Sequence, residues 1–271
     1  MSSVRVVQRM GVFDSGVGGI TVLQALRRKF PSIEFVYLGD TANVPYGTKS
    51  PSQIEHLSRL CAQRLRDEKI DVLVVACNTA SSWALPAIRQ EVGPLVDVIG
   101  MVEPGVASVL DRCLTNTGPI LVLATRATVR SGAYRRAFET ALPQDSGGPG
   151  TRDVFEQACP LLVPMIEEGW LDHKILLQTI DEYVSTHRQQ GREGIALLGC
   201  THYPWIRTQI ESRLPGWTVV DSAESVAQYL ASRVAASGAK LSDQASSPEV
   251  KWIFTDPEAV PEFARKILRS V

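Results

Sequence analysis

The chain has almost no net charge, no long apolar run and no cysteine framework. Its 28 basic and 29 acidic residues give a formal net charge of −1, so long-range attraction to nucleic acid or to an anionic membrane is not expected. No apolar run approaches the ~20 residues that a transmembrane helix needs, and the N-terminus lacks the apolar core and cleavage site of a signal peptide. These absences predict a cytoplasmic protein that acts without a membrane or nucleic-acid partner.

The chain has five cysteines, an odd number, and they lack the spacing of disulfide pairs or of a CxxC metal motif. We therefore expect them to be reduced. Cys77 and Cys200 share a setting: each follows a short apolar run, at 70–76 and 195–199, and precedes small hydroxyl or amide residues and an expected helix. One such cysteine is usually a core residue. Two in matching settings predict a pair of reactive thiols, whose pKa values we expect helix N-termini to lower.

Strand-like runs alternate with helical stretches along the chain. Continuous Val, Ile and Leu runs are typical of strands covered on both faces, and the alternation predicts an α/β fold with largely parallel sheets. Expected strands are 10–13, 34–38, 72–76, 96–101, 120–124, 195–198, 219–221 and 251–254. Expected helices are 20–30, 52–68, 81–91, 104–114, 129–141, 173–189, 204–214 and 223–236. Composition predicts loops at 144–151 and 237–248.

The length of 271 residues is enough for two domains. We place a first domain at 1–101 plus about 210–271 and a second at about 102–209, so that each domain carries one of the two thiols.

Polar loops follow the first two expected strands. The segment 13–19 (FDSGVGG) lacks the glycine spacing of a dinucleotide or Walker loop, and Asp14 would repel a phosphate, so we expect Asp14 to hold an ammonium group or to assist a base. The segment 40–47 (DTANVPYG) lies where loops of open α/β sheets line a ligand crevice. Tyr46 and Gly47 offer a hydroxyl and backbone amides there. Taken alone, the first loop is equally consistent with a helix cap at Asp14 or Ser15, and the second is better explained as a simple turn.

His202 and Glu167 complete the candidate set. His202 is two residues from Cys200, and a neighbouring histidine activates a thiol. Glu167 ends a mostly apolar segment, 159–167, in which a carboxylate is expected to be partly desolvated. A zinc site is not expected, because the chain offers no second ligand pair with tetrahedral spacing.

In chain order these motifs resemble those of the glutamate racemases. The matching segments are FDSGVGG (13–19), PYG (45–47), ACNTAS (76–81), ATVRSGAY (127–134), CPLLVPMIEEG (159–169) and GCTHYP (199–204). The resemblance extends to about residue 236. It implies two pseudosymmetric α/β domains with the active site between them, and neither cofactor nor metal. The implied activity interconverts L- and D-glutamate and supplies D-glutamate for peptidoglycan, and hence for cell shape.

The resemblance also implies roles for particular residues. Cys77 is expected to act on the α-proton of the D-isomer with help from Asp14. Cys200 is expected to act on that of the L-isomer with help from His202 and Glu167. The implied substrate-binding residues are Asp14, Ser15, Pro45, Tyr46, Gly47, Asn78, Thr79, Thr128, Thr201 and His202.

Three other functions stay open on the sequence. An aspartate or hydantoin racemase would use the same thiols and differ only in the size and polar contacts of its pocket. A hydrolase with Cys200 as nucleophile and His202 as base would leave Cys77 without a role. A non-catalytic amino-acid-binding protein would leave both thiols unused. The sequence also leaves open whether the protein is a homodimer.

Overall fold

The computed structural model describes residues 6–142, 152–188, 193–241 and 249–268. The strands are β1 (Val6–Val7), β2 (Arg9–Asp14), β3 (Glu34–Gly39), β4 (Val72–Val75), β5 (Asp97–Ile99), β6 (Ile120–Ala124), β7 (Val154–Ala158), β8 (Ile195–Gly199), β9 (Thr218–Asp221), β10 (Lys240–Leu241) and β11 (Lys251–Phe254). The helices are α1 (Ile20–Lys29), α2 (Pro51–Asp67), α3 (Asn78–Trp83), α4 (Leu85–Val92), α5 (Val102–Cys113), α6 (Arg126–Ser131), α7 (Ala133–Ala141), α8 (Leu162–Glu167), α9 (Lys174–Arg188), α10 (Arg207–Arg213), α11 (Ser222–Ser237) and α12 (Glu262–Leu268). Short 3-10 helices cover Thr41–Asn43, Tyr46–Thr48 and Tyr203–Ile206.

Two parallel sheets organise these elements. The first has the strand order β11-β3-β2-β4-β5 and the second β7-β6-β8-β9, and every strand pair in both is parallel. The central strands β4 (VLVV), β6 (ILVLA) and β8 (IALLG) are buried along their whole length, because helices cover both faces of each sheet. The predicted α/β class with parallel sheets is confirmed.

The chain returns from the second sheet later than the sequence suggested. We expected the second domain to end near residue 209, but β9 pairs with β8 and extends the second sheet to Asp221. The next helix, α11, packs in the first core, where Val226 and Leu230 join Leu23 and Leu26 of α1. Helix α10 and strand β9 continue the same alternation as before, so the sequence pattern does not mark the crossing.

Two elements of the second domain, β7 and α8, were not expected. Strand β7 (VFEQA) pairs only with β6 and is half-buried throughout, so its sequence is not a continuous apolar run. Helix α8 has six residues, too few to show helical periodicity.

Two expected helices are each split in the structure. The helix expected at 81–91 divides into α3 and α4. The helix expected at 129–141 divides into α6 and α7 at Gly132, whose φ of 62° lies in the left-handed region that favours glycine. The expected loop at 144–151 lies outside the described residues, as does the part of the second expected loop at 242–248. No helix in the described ranges is both long and apolar enough to span a membrane.

Candidate active site

The carboxyl ends of β2 and β4 bring Asp14 and Cys77 to the same edge of the first sheet. These strands are neighbours, and the Cys77 N–H donates to the Phe13 carbonyl at 3.3 Å. Cys77 is the N-cap residue of α3: its Sγ accepts a hydrogen bond from the Ala80 N–H at 3.5 Å. The thiol itself donates to Ser15 Oγ at 3.4 Å. Cys77 is therefore held between a helix N-terminus and the loop that follows β2.

The second thiol, Cys200, directly follows β8. Its Sγ lies 4.0 Å from His202 Nδ1, and His202 Nε2 lies 2.9 Å from Oε1 of Glu167, the last residue of α8. The His202 side chain is 4% exposed and that of Glu167 is 21% exposed. A carboxylate, an imidazole and a thiol thus form a continuous row from the surface inward.

One small cavity is lined by both thiols. The first sheet and its loops contribute Ser15, Val44, Pro45, Tyr46, Gly47, Cys77, Asn78 and Thr79, and the second contributes Thr125, Val163, Cys200, Thr201 and His202. The space open to water is about 20 Å³, close to the minimum for a single ordered water. A larger cavity of about 580 Å³ between α5 and α11 is lined by neither cysteine nor histidine. We therefore place the chemistry at the smaller cavity.

Two glycines allow the two halves of this site to approach each other. A Cβ on Gly18 would lie 2.3 Å from Thr201 Oγ1 and 2.4 Å from His202 Nδ1. A Cβ on Gly47 would lie 2.7 Å from Thr125 Cβ. Any side chain at either position would collide with the opposite half, so close backbone approach explains both glycines.

Asp14 is bound across the interface. Its Oδ1 accepts a hydrogen bond from Thr201 Oγ1 at 3.2 Å, and its Oδ2 accepts one from the Gly16 N–H at 2.9 Å. Asp14 is fully buried. The carboxylate near Cys77 is therefore fixed partly by a residue adjacent to Cys200.

A cluster of threonine hydroxyls joins the two halves at another wall. Thr79 Oγ1 lies 3.0 Å from that of Thr125 and 3.2 Å from that of Thr128. Thr128, a predicted substrate contact, is fully buried and does not line the cavity, whereas Thr125 does. Thr125 was not among the predicted site residues. Its place at the carboxyl end of β6 was the signal that could have found it.

The Asn78 side chain has one hydrogen-bond donor without a partner among the described residues. The Tyr134 hydroxyl donates to Asn78 Oδ1 at 2.6 Å, and the buried Nδ2 of Asn78 has no partner in the structure. An unpaired buried donor is costly, and Asn78 lines the cavity. Nδ2 is therefore available to a ligand.

Tyr46 differs from expectation in one respect. Its side chain lines the cavity, but its hydroxyl donates to Asp40 Oδ2 at 2.6 Å. The hydroxyl proton that we expected to face a substrate is thus already used within the protein. Neighbouring Pro45 and Gly47 also line the cavity.

The expectation of a lowered thiol pKa is wrong for Cys77. Burial raises the pKa of this thiol to about 12, and the negative charge of Asp14 acts in the same direction. Hydrogen bonds with Ser15 and with the Ala80 N–H favour the thiolate, but they are the smaller influences. The helix N-terminus is present, and desolvation outweighs it.

The pKa values of Asp14 and His202 are shifted as well. Burial raises the pKa of Asp14, while the nearby His202 and the hydrogen bonds from Gly16, Gly19 and Thr201 oppose the rise. For His202, burial alone would lower the pKa, but hydrogen bonds and charge interactions with Cys200 and Glu167 raise it to about 10. Among the described residues, no group of three or more His, Cys, Asp or Glu side chains is arranged to hold a metal ion.

A thiol from each of two α/β domains at one cavity is suited to removing a proton from one face of a carbon and returning one to the other. That arrangement defines the class of amino-acid racemases that work with two bases. The family model described as Asp/Glu/Hydantoin racemase matches residues 21–230. The chain belongs to this family.

Within the family, the similar proteins are glutamate racemases. The chain is 39% identical over 260 residues to the glutamate racemase of Aquifex pyrophilus, covering 96% of this chain and 93% of the relative. The crystal structure of the Thermus thermophilus glutamate racemase, in complex with β-chloro-D-alanine, has a TM-score of 0.79 at 37% identity and covers 96% of this chain and 93% of that one. The Francisella tularensis glutamate racemase, solved in complex with D-glutamate, has a TM-score of 0.83 at 29% identity and covers 97% and 94%.

Proposed function

We propose that this chain interconverts L- and D-glutamate by moving the α-proton between Cys77 and Cys200, without a cofactor. The observation that carries the proposal is that both thiols line one cavity from opposite domains. A thiolate on one side removes the α-proton and becomes a thiol. The thiol on the other side protonates the carbanion and becomes the thiolate, so the substrate is inverted and proton balance is kept.

The two directions of the reaction start from different thiols. Cys77 removes the α-proton of the D-isomer with Asp14 nearby, and Cys200 removes that of the L-isomer. The row of Cys200, His202 and Glu167 supports this division, since an imidazole held by a carboxylate can exchange a proton with the neighbouring thiol. Asp14 is fully buried and its raised pKa makes it a stronger base than an exposed aspartate.

Substrate binding supplies part of the activation that Cys77 lacks. A thiol with a pKa of about 12 is a thiolate in only about one molecule in 10⁵ at pH 7. The ammonium group of bound glutamate brings a positive charge into the cavity, and an opposite charge within a few ångströms favours the thiolate. We therefore place the ammonium group near Asp14 and Cys77.

Neutral donors hold the two substrate carboxylates in this proposal. Among the described residues that line the cavity there is no arginine or lysine. The unpaired Nδ2 of Asn78 is one donor, and the hydroxyls of Ser15 and Thr79 are others. Fixed donors in a nearly dry cavity stabilise the charge that develops on the α-carboxylate as the proton leaves.

The biological setting is part of the same proposal. D-Glutamate made by this enzyme enters peptidoglycan synthesis and so contributes to cell shape, and the enzyme works in the cytoplasm. The glutamate racemase relatives support the formation of D-glutamate in this proposal. We also propose that the protein is a homodimer. Light scattering of the purified protein tests this.

The test follows optical rotation and α-deuterium uptake for L- and D-glutamate in deuterated buffer, with purified protein dialysed against a chelator and treated with hydroxylamine. Wild type should racemise both isomers. Cys77→Ala and Cys200→Ala should each abolish racemisation while the circular dichroism spectrum is unchanged. Cys113→Ala is the matched control, because this half-buried thiol lies on α5 and does not line the cavity. Near wild-type racemisation by either active-site variant would exclude the two-thiol mechanism, and loss of activity on dialysis would indicate a cofactor.

A further inference from the structure

The segment that carries Tyr46 is held in place by a buried carboxylate, Asp40. Asp40 is 1% exposed. Its Oδ2 accepts a hydrogen bond from the Tyr46 hydroxyl at 2.6 Å, and its Oδ1 accepts bonds from Thr255 Oγ1 at 2.7 Å and from Asn43 Nδ2 at 3.0 Å. Hydrogen bonds to an ionised carboxylate are stronger than those between neutral groups, so this carboxylate fixes the Tyr46 hydroxyl firmly.

Thr255 reaches Asp40 from the far end of the chain. It directly follows β11, whose pairing with β3 is extended by a Thr255 N–H bond to the Gly39 carbonyl at 3.1 Å. The same hydroxyl that donates to Asp40 accepts a hydrogen bond from the Ala42 N–H at 2.9 Å. One side chain near the C-terminus therefore contacts both the carboxylate and the turn that precedes Pro45.

A second pair of contacts reinforces this connection. Thr41 Oγ1 donates to the Asp256 carbonyl at 2.5 Å and accepts from the Asp256 N–H at 2.9 Å. The family model ends at residue 230, so these C-terminal contacts lie beyond the segment by which the family is recognised.

The other side of the segment is fixed by the second domain. Gly47 lies against Thr125, since a Cβ on Gly47 would collide with that side chain. Arg130 donates a hydrogen bond to the Lys49 carbonyl at 3.0 Å. Residues 45–47 are thus clamped between the second domain and the Asp40 carboxylate. A shift of that carboxylate would move Tyr46 relative to the cavity wall.

We infer that Asp40 and Thr255 are positioning residues for the substrate-binding segment 45–47, so that the C-terminal strand sets the affinity of the site for glutamate. This inference rests on the proposed function. Neither side chain lines the cavity, so both act through Tyr46 and Gly47. Both residues act on segment 45–47 of the cavity wall and not on the thiols. Removal of the Thr255 hydroxyl should therefore raise KM more than it lowers kcat.

The test compares Thr255→Val, which keeps the side-chain shape but removes the hydroxyl, with Thr255→Ser, which restores it. Thr255 is exposed, so neither change disturbs the core. We expect Thr255→Val to raise KM for both isomers about fivefold, in line with the loss of the hydrogen bond that fixes the Asp40 carboxylate, with kcat changed less than twofold. Thr255→Ser should return KM to the wild-type value. Lys251→Met is the matched control, because it removes the contact of β11 with Glu68 at the other end of the strand and should leave KM unchanged.

Two further measurements separate positioning from general loosening. In a Tyr46→Phe background, Thr255→Val should add little to the rise in KM, since the two changes interrupt one connection. Hydrogen–deuterium exchange without substrate should be faster in Thr255→Val over residues 41–48 and unchanged over β11. Unchanged KM in Thr255→Val, a full additional effect in the Tyr46→Phe background, or unchanged exchange at 41–48 would each overturn the inference. Failure of the wild type to racemise glutamate would instead reject the proposed function, and the exchange measurement would still test the connection.

Discussion

The two thiols have different neighbours, which matters for their reactivity. Cys77 lies near the Asp14 carboxylate, and burial with this negative charge raises its pKa to about 12. Cys200 lies 4.0 Å from His202, whose pKa of about 10 makes it an imidazolium at neutral pH. Cations stabilise a nearby thiolate and anions destabilise it. The free enzyme therefore presents one thiol in a favourable electrostatic setting and one in an unfavourable setting.

The first prediction is that iodoacetamide modifies Cys200 before Cys77 at pH 7.5. Both residues are 5% exposed, so access does not separate them and the charge of the neighbouring side chain, Asp14 or His202, does. Peptide mass spectrometry over a time course measures the two rates, and glutamate should slow both. His202→Asn should reduce the difference. Faster modification of Cys77 in the wild type would contradict the electrostatic argument.

The second prediction concerns stability and pH. The His202 pKa is raised from 6.5 to about 10, so protonated His202 stabilises the folded state fully below pH 6.5. That contribution is lost as the pH rises through about 10. The free energy of unfolding of wild type relative to His202→Asn should thus fall by several kcal/mol between pH 6 and pH 10. Urea unfolding at both pH values measures it.

The control for this pH effect is His56→Asn, which changes an exposed histidine of α2. This variant should follow the wild type at both pH values. A difference between wild type and His202→Asn that stays constant with pH would show that the pKa of His202 is the same in the folded and the unfolded protein.

At the scale of elements, the sequence predicted the buried strands well because a short run that is apolar throughout is typical of a strand buried on both faces. The run 120–124 (ILVLA) is apolar throughout and became a strand with the predicted bounds, and the strands expected at 72–76 and 195–198 differ by one residue at their ends. Strand β7 could not be predicted in this way, because an edge strand with Glu156 and Gln157 in its middle has no apolar signature. Helix ends were shifted by specific residues, such as Gly132, whose left-handed conformation divides α6 from α7.

The loop between β2 and α1 gives the third prediction. Gly18→Ala would place a Cβ 2.3 Å from Thr201 Oγ1, which forces this loop away from the second domain. Because the clash is at the cavity and not in either core, kcat should fall at least about tenfold while unfolding free energy changes by less than about 1 kcal/mol. Steady-state kinetics and urea unfolding measure the two effects.

Gly93→Ala is the contrasting variant. Gly93 has a φ of 83° and open space around it, so alanine there strains the backbone without a clash. This variant should lose about 1 kcal/mol of stability and keep its kcat. Equal kcat in both alanine variants would show that close approach at Gly18 is not needed for catalysis.

At the scale of the whole molecule, the sequence predicted which residues face the site better than how they are connected. Matching settings identified Cys77 and Cys200, and the motifs around them supplied Asp14, His202 and Asn78. The sequence could not reveal that Asp14 is fixed by Thr201, or that Asp40 is fixed by Thr255, because these pairs are 187 and 215 residues apart. The first contact forms when the two domains pack against each other, and the second forms when the chain returns to the first domain.

The fourth prediction is that the assembled site prefers glutamate to aspartate. One methylene is worth only about 1–3 kcal/mol in a pocket, but the shorter side chain of aspartate would leave a buried donor such as Asn78 Nδ2 unpaired. We expect kcat/KM for glutamate to exceed that for aspartate by about a hundredfold or more.

Binding should show the same preference independently of catalysis. Glutamate contacts both domains in the proposed site and binds only the folded protein, so it should raise the midpoint of thermal unfolding in proportion to its affinity. The Cys77→Ala variant allows this measurement with a single isomer present, because it does not convert the ligand. At equal concentrations, D-glutamate should raise the midpoint and D-aspartate should raise it much less. Equal shifts, together with comparable kcat/KM values in the wild type, would reassign the chain to the aspartate racemases, since the two donor-lined halves of the cavity would then fit the shorter dicarboxylate equally well.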